Sequence, residues 1–520
     1  NNQMKVLQKI SGSLLLLLTL SSAAPGPPKT DKIFISNYEN VLGTSLELKV
    51  ISASGQNAGR AELVALAEID RLNKILSGYD PSSEFSRWMN APKKPVQVSP
   101  ELYEVLSLFE QWRLKSSGAL DASAETIGKV WRNATKQKRL PSTEEIADAV
   151  ATVKQRHYIL DPNNQTALRT SDAALMLNSF AKSYIMDKAA KVAMATPGVS
   201  GLVVNIGGDI LVRGLHTEQI QVSDPKADAE NDPPIARLEI TGKTVATSGN
   251  YRRGEQINGK WYSHIIDPRT GQPGNAIISA TVIASIATDA GALATALNVL
   301  TPEEGKKLVA SIPGAEYMLI TTGGKRFESP GWMKFEQSAT QPQTVTKLDV
   351  QSNLINNPTQ HPTGGFHDPN FEIAINLELA TIEGMRVYRP FVAVWVTGTD
   401  KKPVRLISLW YNKSRWLDEI PFWYAAYHDA LADPKENISS TTSATRGAGK
   451  YTLKWDGKDD KGIPVLPGSY TIFIEAARQH GSHQLMTQKI TLGKAQHIDI
   501  PGNSEIASAS LDYRIKGNGN

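Results

Sequence analysis

Along these 520 residues the apolar pattern changes once, near residue 336, and that change limits what the chain can fold into. Before it, helical and strand spacings alternate. Leu63, Leu66, Ile69, Leu72, Ile75 and Leu76 recur every three or four residues, the spacing that lays one apolar stripe along a helix over 61–76. Residues 100–112 repeat it, with Ser99 placed to cap the first turn. Residues 201–206 form a short apolar strand that runs into two glycines, 277–286 are a β-branched strand, and 290–300 a small-residue helix with Pro302 just beyond. Such alternation predicts an α+β unit over 31–335. Residues 336–364 turn to Gln, Thr, Asn, Pro and Gly, the composition of a linker. From 365 to 500 only short β-forming runs follow, at 371–377, 391–397, 404–411, 451–455, 469–476 and 485–491. Turn residues such as Asp456 to Gly462 separate them, which predicts an all-β sandwich. The polar residues 501–520 read as a flexible tail.

The N-terminus reads as an export signal over residues 1–24. Lys5 and Lys9 precede the apolar run 14–20, and Ser22, Ala23 and Ala24 supply small residues before Pro25, Gly26, Pro27 and Pro28. That run is too short to span a bilayer, and no later stretch reaches the roughly 20 apolar residues of a membrane helix. The mature protein is therefore expected outside the cytoplasm, without a membrane span. The chain has no cysteine, which excludes disulfides, thiolate metal sites, cysteine nucleophiles and a lipid-bearing cysteine. Its 56 basic and 52 acidic residues nearly balance, which argues against a dedicated nucleic-acid binder.

Four segments of the first unit carry residues suited to chemistry. Asn205-Ile206-Gly207-Gly208-Asp209 ends a strand in two glycines, which let backbone amides approach a phosphate or flat ring, with Asp209 as an acceptor; two glycines after a strand also make an ordinary turn. Thr247, Ser248, Gly249, Tyr251, Arg252 and Arg253 combine hydroxyls with guanidinium groups that fit phosphate oxygens, or form a solvated hairpin. His264, Asp267 and Arg269 surround Pro268 in a turn. His264 there is a candidate base or a structural histidine, and Arg269 a candidate partner for negative charge. Thr288 to Leu297 carries hydroxyls on a small-residue helix, suited to close packing or to a hard cation.

In this order the four segments resemble the ApbE family of flavin transferases. The resemblance covers roughly 31–335 and includes Leu42-Gly43-Thr44, Ser82-Ser83-Glu84-Phe85-Ser86-Arg87, Ser117-Gly118-Ala119-Leu120-Asp121 and Ala181-Lys182-Ser183-Tyr184-Ile185-Met186-Asp187. It implies an exported, Mg²⁺-dependent enzyme that cleaves FAD, joins FMN to a Thr or Ser hydroxyl of a periplasmic electron-transfer flavoprotein, and releases AMP. It further implies that Gly207, Gly208, Asp209, Thr247, Ser248, Gly249, Tyr251, Lys182, Asp187 and Arg269 contact FAD. His264 is implied to assist the nucleophile, and Ala181, Thr295 and Asp289 to hold the metal.

This chain departs from the family pattern at two positions. The family has a carboxylate four residues before the helical threonine, where Gly291 stands here, and glycine after the lysine, where Ser183 stands. Asp289 lies six residues before Thr295, about 120° round a helix from it, and is a candidate N-cap as well as a ligand. The alternatives to transfer are FAD hydrolysis to FMN and AMP, and a flavin-binding scaffold without a metal. Phe371-Glu372-Ile373, Arg389-Pro390-Phe391-Val392-Ala393-Val394-Trp395, Ala444-Thr445-Arg446 and Tyr451-Thr452-Leu453-Lys454-Trp455-Asp456-Gly457-Lys458-Asp459 carry a second likeness: residues 365–500 resemble a periplasmic domain of unknown function found fused to this transferase. Trp395, Trp410, Trp416, Trp423 and Trp455 there suit a core, or a surface that docks a partner.

Overall fold

The computed structural model describes residues 30–337 and 368–516, apart from 92, 383–385, 411–418, 428–439, 443–448 and 479–481. The expected export signal, almost all of the expected linker, and Trp416 lie outside the described residues.

One antiparallel sheet organises the first unit. Its strands are β1 (Lys32–Val41), β2 (Thr44–Ser52), β3 (Val199–Ile206), β4 (Asp209–Gly214), β5 (Thr244–Gly249), β6 (Ile277–Ala284), β7 (Glu316–Thr321), β8 (Arg326–Glu328) and, from the second unit, β9 (Val387–Tyr388). They lie in the order β8-β7-β6-β5-β4-β3-β2-β1-β9. Helices α1 (Gly55–Leu76), α2 (Ala181–Met194) and α3 (Ala287–Leu297) cover one face. The pleat sorts strand residues between two cores. Leu48, Val50, Leu202, Val204, Ala246, Ala280 and Val282 face the helices. Val203, Ile210, Val212, Val245 and Ile283 face the other way, with Trp332 and the strands Thr217–Val222 and Ala236–Thr241 over them. Burial on both faces explains why 201–206 reads as continuously apolar rather than alternating.

Caps set where the helices begin. Helix α1 starts at Gly55, six residues before its apolar stripe, because Ser54 Oγ accepts from Asn57 N. Ser99 caps Pro100–Lys115 as its position predicts, accepting from Leu102 N. The helix expected at 290–300 runs instead from Ala287 to Leu297, and Pro302 opens α4 (Pro302–Ala310) under a Thr301–Glu304 capping box. The N-cap of α3 is Ile286, which offers no side-chain acceptor, so Asp289 sits within the first turn and is not its cap.

The second unit is two antiparallel four-stranded sheets. One holds Lys450–Trp455, Phe371–Leu379, Ile506–Ile515 and Gln496–Ile500; the other holds Pro403–Trp410, Phe391–Thr397, Ser469–Ala477 and His483–Thr491. Ile373, Ile375 and Leu453 from the first meet Val392, Val394 and Ile474 from the second in a shared core. Trp395, Trp423 and Trp455 are buried, so these aromatics are core. Residues 456–462 form a tight turn in which Asp459 Oδ1 accepts from the amides of Lys461 and Ile463.

Half of the segment expected as a flexible tail is an interior strand of the first of these sheets. Ile506–Ile515 pairs with both Phe371–Leu379 and Gln496–Ile500 and buries Leu511 and Tyr513. The two units also join directly. Strand β9 extends the large sheet at β1, Tyr388 stacks on Tyr38 at 4.9 Å, and Arg389 pairs with Glu39. Lys454 pairs with Asp228 and Asp232.

Candidate active site

The end of the large sheet where β3 turns into β4 collects most of the candidate residues. Gly207 (φ 61°) and Gly208 (φ 96°) form a two-residue hairpin turn between paired Ile206 and Asp209. Positive φ at both positions is the reason for both glycines. Asn205 Oδ1 accepts from Gly208 N at 3.1 Å, and Gly207 N donates to Ser45 O at 3.0 Å, so the turn is held beside the β1–β2 turn of Leu42 and Gly43. Directly above it, the first turn of α2 brings Lys182 Nζ to 3.3 Å from Asp209 Oδ2.

Strand β5 reaches the same end. Its pairing of Val245 with Ile210 carries residues 247–249 past the end of β4. Thr247 is buried, and its hydroxyl shares a hydrogen bond of 3.0 Å with that of Thr281. Thr247 alternates with Ala246, so it faces away from the helices, while Ser248 lies on the helix side. Gly249 is needed where it stands: an added Cβ would fall within 3.0 Å of the Tyr251 ring and 2.9 Å from the carbonyl oxygen of Ile278. Two asparagines that sequence reasoning missed tie this region together. Asn298, at the end of α3, donates to Ser248 O at 3.0 Å, and Asn250 donates to Gly274 O and Ile277 O. Their one sequence signal is an amide at the end of an apolar element.

His264 leaves the hairpin formed by Gly254–Ile257 and Lys260–Ser263. Its Nδ1 lies 2.9 Å from Arg253 O. A carbonyl oxygen only accepts, so Nδ1 carries the proton and Nε2 keeps its lone pair. One edge of the ring meets solvent, yet the protein around it desolvates the imidazolium and holds the pKa below the ordinary histidine value, an effect the nearby Arg253 charge adds to. The ring is therefore neutral at pH 7, with Nε2 as a proton acceptor.

Two candidate residues pair with protein groups. Arg269 donates from Nε and one terminal nitrogen to Asp267 and from the other to Glu304 on α4, so its guanidinium clamps the turn to that helix. Asp187 lies one and a half turns along α2 from Lys182 and pairs with Arg213 at 2.9 Å, away from the hairpin turn.

The expected metal ligands only partly converge. Thr295 Oγ1 lies 3.2 Å from Ser179 O and 3.1 Å from Gly291 O, which places it at the start of α2 near Ala181. Asp289 is half-buried, one and two-thirds turns earlier on α3 and on another face; desolvation raises its pKa against the attraction of Lys115. Among the described residues no cluster of three or more His, Asp or Glu side chains gathers. The oxygens around Thr295 are neutral, whereas Mg²⁺ is ordinarily anchored through carboxylates and substrate phosphates. These residues do not fit a protein-anchored Mg²⁺.

A cavity of about 550 Å³ lies alongside, lined by Leu42, Asp70, Lys74, Glu84 and Arg87 among others. It touches the cluster through Leu42 and includes none of Gly207, Ser248 or His264. No helix among the described residues is long and apolar enough to cross a membrane.

Comparison with known proteins supplies the family. The model of the ApbE family matches residues 42–319, and a model described as a predicted periplasmic protein (DUF2271) matches 372–508. The FAD:protein FMN transferase of Klebsiella pneumoniae strain 342 is 28% identical over 338 residues, covering 62% of this chain and 95% of its own. That of Escherichia coli strain K12 is 28% identical over 319 residues, covering 59% and 90%. The crystal structure of the ApbE protein from Thermotoga maritima superposes with a TM-score of 0.53 at 27% identity, covering 59% of this chain and all of that one. With more than half of its length matched by that family's model, from the β1–β2 turn through β7, this chain belongs to the ApbE family.

Proposed function

We propose that this chain transfers FMN from FAD to a Thr or Ser hydroxyl of a periplasmic flavoprotein, releasing AMP. The observation that carries the reading is His264, just past the Gly254–Ser263 hairpin, whose Nδ1 donates to Arg253 O and so leaves Nε2 as a proton acceptor. Membership of the family, and transferase relatives covered over 90% or more of their length, support it. In this reading Gly207, Gly208 and Asp209 border the diphosphate, with Lys182 above them as the nearby cation. Ser248, Gly249 and Tyr251 border the rest of FAD.

The acceptor hydroxyl oxygen attacks the FMN phosphorus, and its proton passes to His264 Nε2. The phosphorus–oxygen bond to the bridging oxygen breaks, and AMP leaves with that oxygen. A base at the right protonation state contributes about 10²–10⁴-fold to such a step. No step is assigned to Mg²⁺, since no cluster of three or more His, Asp or Glu side chains gathers among the described residues. The match of the second unit to a predicted periplasmic protein supports an exported location.

The test is incubation of the full chain with FAD and an acceptor flavoprotein, with and without Mg²⁺, read by in-gel flavin fluorescence and AMP release. Flavin on the acceptor with stoichiometric AMP supports transfer. AMP without labelled acceptor makes the protein an FAD hydrolase. FAD binding without either product makes it a flavin-binding protein.

A further inference from the structure

Helices α2 and α3 touch at Gly291, and the contact leaves no room for a side chain there. A Cβ built on Gly291 would fall closer than 3.0 Å to Ser183 Oγ, a separation real Cβ atoms do not show, and would lie 3.2 Å from Ser183 Cβ and 3.3 Å from Phe180 Cβ. None of these neighbours is the end of a long, yielding chain. Ser183 is 1% exposed and Phe180 is 1% exposed. Ser183 Oγ also has no hydrogen-bond partner among the described residues, and a buried hydroxyl without a partner is unfavourable. An unpaired hydroxyl held at that spot fills the volume that glycine leaves on the facing helix.

We propose that Ser183 and Gly291 are a matched pair that closes the cation position on α3. While Ser183 stays, residue 291 has no space for a carboxylate. The oxygens bonded to the Thr295 hydroxyl are the carbonyls of Ser179 and Gly291, and the Ser183 hydroxyl lies against the Gly291 position; none of these is charged. A divalent cation of this size is held chiefly by formal negative charge. The two departures from the family pattern are thus one change: neither position alone restores a charged ligand, and the pair does. The proposal rests on the flavin-transfer reading only for expecting a cation at this place.

The test is calorimetric titration of the full chain with MnCl₂, without FAD, for the wild type, Gly291→Asp, Ser183→Gly and the double variant. The double variant is expected to bind Mn²⁺ at least about tenfold more tightly than the wild type or either single variant. Thermal unfolding of the same four proteins gives a second reading that needs no metal: Gly291→Asp alone lowers Tm, and adding Ser183→Gly recovers most of the loss. The proposal is overturned if Gly291→Asp alone, or the wild type, binds Mn²⁺ as tightly as the double variant, or if Gly291→Asp leaves Tm unchanged. Because the titration contains no FAD and no acceptor, failure of flavin transfer in the fluorescence assay leaves its outcome readable, and the reverse also holds.

Discussion

The strand flank and the helix flank of the site are held by different kinds of contact. On the strand flank, position follows from main-chain hydrogen bonds and from φ: the Gly207–Gly208 turn, its bond to Ser45 O, and the pairing of β5 with β4 and β6. Side chains there point into two separate layers and, apart from pairs such as Thr247 with Thr281, act nearly alone. On the helix flank, α2 and α3 approach through small residues, among them Ala181, Ser183, Ala290, Gly291 and Ala294. Interiors are close-packed, so one added atom on one helix must be matched on the other. Substitutions on the strand flank are thus separable, whereas those on the helix flank are coupled.

The largest expected effect tests whether the strand flank carries the chemistry. His264→Ala is expected to lower the rate of flavin transfer by about 10²–10⁴-fold, with the fold unchanged because the ring is partly exposed. Initial rates of in-gel fluorescence check it, alongside circular dichroism. A rate within a factor of two of the wild type would remove His264 from the reaction.

Lys182→Met comes next. It strips the positive charge from the Asp209 pair and leaves the carboxylate beside the place proposed for the diphosphate. FAD affinity is expected to fall by about tenfold or more, roughly 1.4 kcal/mol, in flavin fluorescence titrations. An unchanged affinity would place the diphosphate away from Asp209, and with it this flank's share of the site.

What the sequence reveals divides along the same line. The strands at 199–206 and 277–284, the second read two residues too long, and most of those in the second unit are legible because burial stamps each with a local pattern, and Ser99 shows its helix start because a cap acts over three residues. Legibility fails where the decisive partner is distant in the chain or lacks a polar signature. Nothing near Arg269 points to Glu304, and nothing near Ser183 points to Gly291. The start of α3 carries no capping side chain, so Asp289 reads as the cap. Strand Ile506–Ile515 reads as a tail because Ser and Ala separate its inward-facing Ile506, Ala509 and Leu511.

Coupling on the helix flank predicts a reversal of sign. In an open helix Gly291→Ala gains about 1 kcal/mol of propensity. Here overpacking against Ser183 costs about 1–3 kcal/mol, so the single variant is expected to be level or destabilised by up to about 2 kcal/mol. In a Ser183→Gly background the obstacle is gone and the same substitution becomes stabilising. A denaturant-unfolding cycle over the four proteins is expected to give a coupling energy of about 1–3 kcal/mol. Additivity within about 0.5 kcal/mol would mean that the helices part freely, and the two flanks would then differ less than their contacts suggest.

The smallest effect is in pH. Because desolvation lowers the folded-state pKa of His264, the unfolded chain binds its proton more readily. The group's contribution to stability is therefore present above the ordinary histidine value and fades as pH falls from there through the lowered one. The rate follows the same group in the same direction: only neutral Nε2 accepts a proton, so transfer is expected to be level near pH 7 and to decline only at a midpoint below about 6.5. A pH–rate profile from 5 to 8 at saturating FAD, with imidazole titration followed by NMR, checks both. A midpoint at or above 6.5 would mean that the ring is well solvated. The Arg253 carbonyl would then orient the histidine without the surrounding protein tuning it, and the strand flank would owe its chemistry to geometry alone.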